Sequence, residues 1–195
     1  MKSISIMLTL DLSVFPVLET TRLRLRRFVE SDAQSMFDMR NDINSMRYID
    51  RDPPKNVSEM IELVKKIDDG ITTNERIAWG VTLKNSDELL GSFSYHRTDL
   101  ANHRAEIGYQ FFPAHWRKGY ASECMQIVLE FGFNKLNFHS IEANINPLND
   151  ASRALLEKYG FKQEAYFREN HFHNGTFGDS AIYCLLKSEF NKQRS

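Results

Sequence analysis

Arg117, Lys118 and Gly119 stand directly ahead of a stretch in which Tyr120, Cys124, Ile127, Val128 and Phe131 recur at helical spacing. The first N–H groups of such a helix lack internal acceptors, and the macrodipole adds about half a positive charge at that end. A phosphate is the natural guest. Gly119 lets a ligand approach the backbone, Ala121 keeps the next turn free of bulk, and the two cations add full charges. The segment "HWRKGYASE" therefore reads as a pyrophosphate turn that works mainly through main-chain amides. Taken alone the signal is weak, because surface helices often begin with a glycine and two basic residues. The patterns GxGxxG and GxxxxGK(S/T) are both absent, which argues against nicotinamide chemistry and nucleotide hydrolysis.

Other reactive side chains give less. Cys124 and Cys184 fall inside a helical and a strand pattern without metal-ligand spacing, as buried thiols of a cytosolic protein would. Of the six histidines, His96, His103, His115 and His139 join no metal-binding spacing, and only His171 and His173 form an HxH pair. In a strand that pair puts both rings on one face, but no third ligand stands nearby, so no metal is expected.

These residues need elements to hold them. "TRLRLRRF" places Leu23, Leu25 and Phe28 inward and its arginines outward, as a half-buried strand. Ser31 and Gln34 have the form of a capping box before Met36, Phe37 and Met39. A second helix opens at Ser58, presents Met60, Ile61, Val64 and Ile67, and stops at Gly70. The polar, proline-bearing "NDINSMRYIDRDPPKN" between them reads as a mobile connection.

Three strand-like runs, "RIAWGVTL", "LLGSFSYHRT" and "RAEIGYQFF", follow as an antiparallel meander. The helix after Gly119 and the strand "HSIEANI" then make a parallel crossover. A helix from about Asn149 to Tyr159 ends at Gly160, and a hairpin around "HNG" closes the chain. This is an α/β domain with a mixed sheet.

At 195 residues, 42% of them hydrophobic and 26% charged, the chain is one ordinary globular domain. A net charge of -1, from 25 basic and 26 acidic residues, gives no field for nonspecific nucleic-acid binding. The start "MKSISIMLTLDLSVFP" has a short apolar run interrupted by Thr9 and Asp11 and no cleavage site, so residues 1–17 read as an extension and 18–195 as the domain. No apolar run nears the roughly 20 residues of a membrane helix. A cytoplasmic protein without a membrane partner is expected.

The segment "AEIGYQFFPAHWRKGYASE" resembles the acetyl-CoA-binding segment of the GNAT N-acetyltransferases, in the branch of the Rim-type ribosomal-protein N-terminal acetyltransferases. "TRLRLRRF", "NPLNDASRALLEKYGF" and "RENHFHNGTFGDSAIYCLL" match in order, covering about residues 18 to 190. The resemblance implies a mixed, mostly antiparallel seven-stranded sheet with a splayed parallel central pair and about four flanking helices. It implies acetyl-CoA as cosubstrate and no metal.

It also implies roles. The pantetheine arm would lie in the splay against the backbone of Phe111 and Phe112, where one N–H would polarise the thioester carbonyl. The amides of Arg117, Lys118, Gly119, Tyr120, Ala121 and Ser122 would take the pyrophosphate, and Asn149 would contact the arm. Glu106, on the strand leading to the splay, is the candidate base, or else pairs with a nearby arginine and only shapes the site. Leu156 stands where many members carry a tyrosine acid, so Ser152 becomes the candidate partner of the leaving thiolate. His171 falls where some Rim-type enzymes place a glutamate, either as base or lining the acceptor cleft. Trp116 replaces the usual Gln or Arg.

The expected activity is direct acetyl transfer to a primary amine, first of all a protein N-terminus. A polyamine, amino sugar or antibiotic amine is the alternative acceptor, and a noncatalytic acyl-CoA sensor the alternative class. Tyr166, Phe167, Phe172 and Phe177 either shape the acceptor pocket or belong to the core. The oligomeric state stays open, a homodimer included.

Overall fold

In the computed structural model, which describes residues 8–192, strand β5 (Arg104–Phe111) lies parallel to β6 (Ser140–Ile145), while every other neighbouring pair of strands is antiparallel. The remaining strands are β1 (Leu18–Glu19), β2 (Leu23–Arg26), β3 (Ile77–Leu83), β4 (Gly91–Asp99), β7 (Lys162–His173) and β8 (Thr176–Leu186). They form one sheet in the order β1-β2-β3-β4-β5-β6-β8-β7. Eight strands stand where seven were expected, the addition being the two-residue β1.

Alternation along β3 sends Trp79 to one face and Ala78 to the other, and each face has its own core. Helix α4 (Tyr120–Asn134) covers the first, burying Met125, Val128, Leu129 and Phe133 against Leu23, Leu25, Trp79 and Tyr95. Leu8, Leu10 and Leu12 are buried in the same core, and the Trp79 indole donates to the carbonyl of Pro16 at 2.8 Å. Residues 8–17 of the expected extension thus pack; residues 1–7 lie outside the described part. Helices α1 (Ala33–Asn41) and α3 (Val57–Thr72) cover the second face through Met36, Met39, Met60 and Val64. Helix α5 (Asp150–Lys158) links β6 to β7, and α6 (Lys187–Lys192) follows β8.

Four local expectations are corrected. Arg26 is buried, not outward, and grips Asp32 through two guanidinium bonds of 2.7 and 2.8 Å. No Ser31 capping box forms, because Glu30–Asp32 is a 3-10 turn in which Asp32 accepts from the Val29 N–H. Asn56, not Ser58, caps α3, and that helix runs past Gly70 to Thr72. Gly70 is small for packing, since a Cβ there would come within 2.8 Å of the Arg76 side chain. The chain turns instead at Asn74, with φ of 58°. The polar connection also holds a short helix, α2 (Ile43–Met46), capped by Asp42 at Ser45 N–H.

Candidate active site

Pairing between β5 and β6 stops almost as soon as it starts. Arg104, Ala105 and Glu106 face Ser140, Ile141 and Glu142, and there the ladder ends. Strand β5 continues to Phe111 on β4 and β6 continues to Ile145 on β8, so the two diverge into a wedge with Glu106 at its apex. Phe112 N–H donates to Leu90 O at 3.1 Å, on the β4 side. The alternation of an antiparallel ladder then turns the backbone groups of Tyr109 and Phe111 toward the wedge. Of the two expected residues, Phe111 turns its N–H toward the wedge, whereas the Phe112 N–H is taken by Leu90. The Phe111 carbonyl accepts from the Trp116 indole at 2.7 Å.

Beyond the wedge, Arg117 and Gly119 both take left-handed backbone conformations, at φ of 60° and 80°. Gly119 is the N-cap of α4 and no side chain caps the helix. The first N–H groups of α4 therefore have no side-chain acceptor among the described residues. Arg117 and Lys118 are exposed.

Two further cations reach this turn, both missed in the sequence. Arg22 lies over the Tyr120 ring at 4.7 Å, with its Nη2 3.4 Å from where a Gly119 Cβ would stand. Lys158 donates to the Ser122 hydroxyl at 2.6 Å. Glu123, the acid of the first turn, is answered by Arg22 at 2.7 Å and by the Thr20 hydroxyl. A groove of about 580 Å³ opens beside the turn, lined in part by Thr20, Thr21, Gly119, Ser122, Lys158 and Tyr159.

Glu106 is 7% exposed. Its Oε1 meets His96 Nε2 at 3.1 Å and its Oε2 accepts from Arg97 Nη1 at 3.0 Å. Burial pushes its pKa up, but the His96 bond and the charges of His96 and Arg97 outweigh it, and the carboxyl ends below its ordinary value. The arginine pairing weighed for this residue is present. In the sequence His96 is weighed only as a metal ligand; its place beside Glu106 comes from a β-bulge between Tyr95 and Arg97, which moves it out of simple register with β5.

On the other wall of the wedge, Asn149 caps α5 by accepting from the Ser152 N–H at 3.1 Å. This holds Ser152 at the helix start. Leu156 is fully buried in the core. The Tyr109 ring stacks on Phe93, and its buried hydroxyl has no hydrogen-bond partner among the described residues. Burial pushes the Tyr109 pKa up to about 12, with nearby Ser152 acting in the opposite direction.

His171 is held by an acid of the loop between α2 and α3. Its Nε2 meets Asp50 at 2.6 Å, while His173 faces Asp52 at 3.7 Å, so the HxH pair ties β7 to the loop between α2 and α3. Phe172 and Phe177, at 62% and 60% exposure, are no part of the core, and Tyr166 and Phe167 are also exposed. Burial pushes the Cys124 thiol far above its ordinary pKa, which removes it as a nucleophile. No helix among the described residues is long and apolar enough to cross a membrane.

Residues 22–162 match the family model described as an acetyltransferase (GNAT) domain. The uncharacterized N-acetyltransferase YoaA of Bacillus subtilis is 33% identical over 174 residues, spanning 89% of this chain and 98% of YoaA. A spermidine N(1)-acetyltransferase of Vibrio cholerae is 27% identical over 87% of this chain and 96% of its own. RimL, a ribosomal alpha-N-protein acetyltransferase solved in complex with coenzyme A, superposes with a TM-score of 0.80 over 89% of this chain and 99% of that one. At 18% identity that likeness is one of fold.

Proposed function

Since the chain belongs to the GNAT family of acetyl-CoA-dependent N-acetyltransferases, we propose that it transfers the acetyl group by direct attack of a primary amine, that of a peptide N-terminus. The observation that carries this reading is the wedge opening after Glu106 beside an uncapped helix N-terminus. Acetyl-CoA would lie with its pyrophosphate on the amides of residues 117 to 122, and Arg22 and Lys158 would add charge. Its arm would follow β5, and the N–H groups of Tyr109 and Phe111 would receive the developing oxyanion.

The amine must arrive neutral, and the leaving thiolate must be protonated. The polar group at the apex, Glu106 with its partners, serves the first need, and Ser152 the second. Holding both substrates in reach supplies most of the rate, since positioning is worth about 7–11 kcal/mol. No covalent enzyme intermediate is required.

A polyamine acceptor is the second reading, drawn from the spermidine-acetylating relative. Three of the acids it would need are engaged: Asp42 caps α2, Asp50 meets His171 and Asp52 faces His173. Arg40 is half-buried without a carboxylate partner among the described residues. Burial and the neighbouring Arg51 lower its pKa to about 10. A polycation finds little to hold it here, which supports the peptide reading.

The test is thiol release from acetyl-CoA with three acceptors: peptides with free N-termini, the same peptides N-acetylated, and spermidine. Release with the free peptides alone is expected. Turnover of spermidine alone would move the assignment to the second reading, and tight acetyl-CoA binding without turnover of any amine would make the protein a sensor.

A further inference from the structure

Glu106 reaches the wedge through a partner. The His96 ring and the Glu106 carboxylate stand on the same face of the sheet, on neighbouring strands β4 and β5, with Nε2 3.1 Å from the carboxylate. Gly108 lies beneath the ring: a Cβ at that position would come within 3.0 Å of Nδ1 and 3.1 Å of Cε1. The missing side chain lets the imidazole rest on the strand that lines the wedge, beyond its apex. Nδ1 has no hydrogen-bond partner among the described residues, and the side chain is 39% exposed. Both Glu106 oxygens are occupied, one by His96 and the other by Arg97.

We propose that His96 is the base of the reaction, accepting the acceptor's proton at Nδ1, and that Glu106 is a positioning residue which holds Nε2–H. A carboxylate on one ring nitrogen fixes the tautomer and leaves the lone pair of the other free. The proposal rests on the acetyl-transfer reading above.

The steps balance as follows. The substrate ammonium gives one proton to Nδ1, and the imidazolium passes it to solvent through its exposed edge. The amine nitrogen then bonds to the thioester carbon, and the C–S bond breaks with its electron pair on sulfur. The second amine proton goes to that thiolate by way of Ser152. The charged groups set against the ring are Glu106 from β5 and Arg97 from β4, which shares that carboxylate.

The experiment compares wild type, His96→Gln, His96→Gly and Glu106→Gln. It follows thiol release with a free-amine peptide across pH 5.5 to 9, with coenzyme A affinity by calorimetry as the control for an intact donor site. Loss of His96 is expected to lower kcat about 10²- to 10⁴-fold, the range for a lost general base, and to remove the acidic limb of the pH profile. Coenzyme A affinity should stay unchanged, and added imidazole should restore part of the rate to His96→Gly. Glu106→Gln should lower kcat by less and displace the acidic limb. Wild-type kcat in His96→Gln, or its acidic limb preserved with Glu106→Gln inactive, would overturn the proposal. A wild type silent toward every amine would instead sink the acetyl-transfer reading on which it rests.

Discussion

The indole N–H of Trp116 donates to the carbonyl of Phe111 at 2.7 Å. This bond ties the last residue of β5 to the loop that starts the phosphate turn, so the two halves of the donor site are held in one geometry. It also occupies the carbonyl on the wedge side of Phe111, so that on the proposed reading the N–H is the group that meets acetyl-CoA. A bond of this kind is worth about 1 kcal/mol, roughly fivefold in affinity. Trp116→Phe is expected to raise KM for acetyl-CoA by about that factor with kcat little changed, as steady-state kinetics at saturating amine will show.

Gly119 has φ of 80°, a region that costs a residue with a Cβ about 1–2 kcal/mol. Gly119→Ala should lower stability by that order and weaken coenzyme A binding further, because the strained turn relaxes away from the ligand. Thermal unfolding and calorimetric titration read the two effects separately. Unchanged coenzyme A affinity would take the turn out of the site.

Arg26 and Asp32 form a buried ion pair between β2 and the start of α1. Asp32→Ala leaves a buried guanidinium without its partner and should cost about 3–5 kcal/mol, whereas replacing both residues by apolar ones should cost less than either single change. Urea unfolding of the three variants gives the comparison.

Glu106 carries a pH signature. Its folded pKa lies below its ordinary value of 4.5, so its contribution to stability is present above that value and fades as pH falls through the folded pKa. The stability advantage of wild type over Glu106→Gln should therefore shrink from pH 6 to pH 3. Urea midpoints measured at intervals of one pH unit test the sign.

What the sequence revealed was local. The stripe of α4, the glycine turn ahead of it and the meander of β3 to β5 are written in neighbouring residues, and each is found where its pattern lies. Pairs made by the fold were not legible. Arg22 arrives at Gly119 and Glu123 from the turn between β1 and β2, about a hundred residues earlier, and Lys158 comes to Ser122 from the far end of α5. His96 and Glu106 stand on adjacent strands, yet the bulge after Tyr95 shifts their alignment, and no alternation pattern announces a bulge. Arg26 read as outward because its partner Asp32 lies in the next element. Gly70 looked like a stop because its packing against Arg76 leaves no mark in the helical period.

The proposed placement of acetyl-CoA is the wedge between β5 and β6, with its pyrophosphate on the α4 turn. Backbone amide spectra of labelled protein titrated with coenzyme A test it most directly. The amides of Tyr109, Phe111 and residues 117 to 122 are predicted to shift together and saturate at one affinity, while those of β1 and α3 stay still. Binding that leaves the Gly119 to Ser122 amides unmoved would rule this placement out.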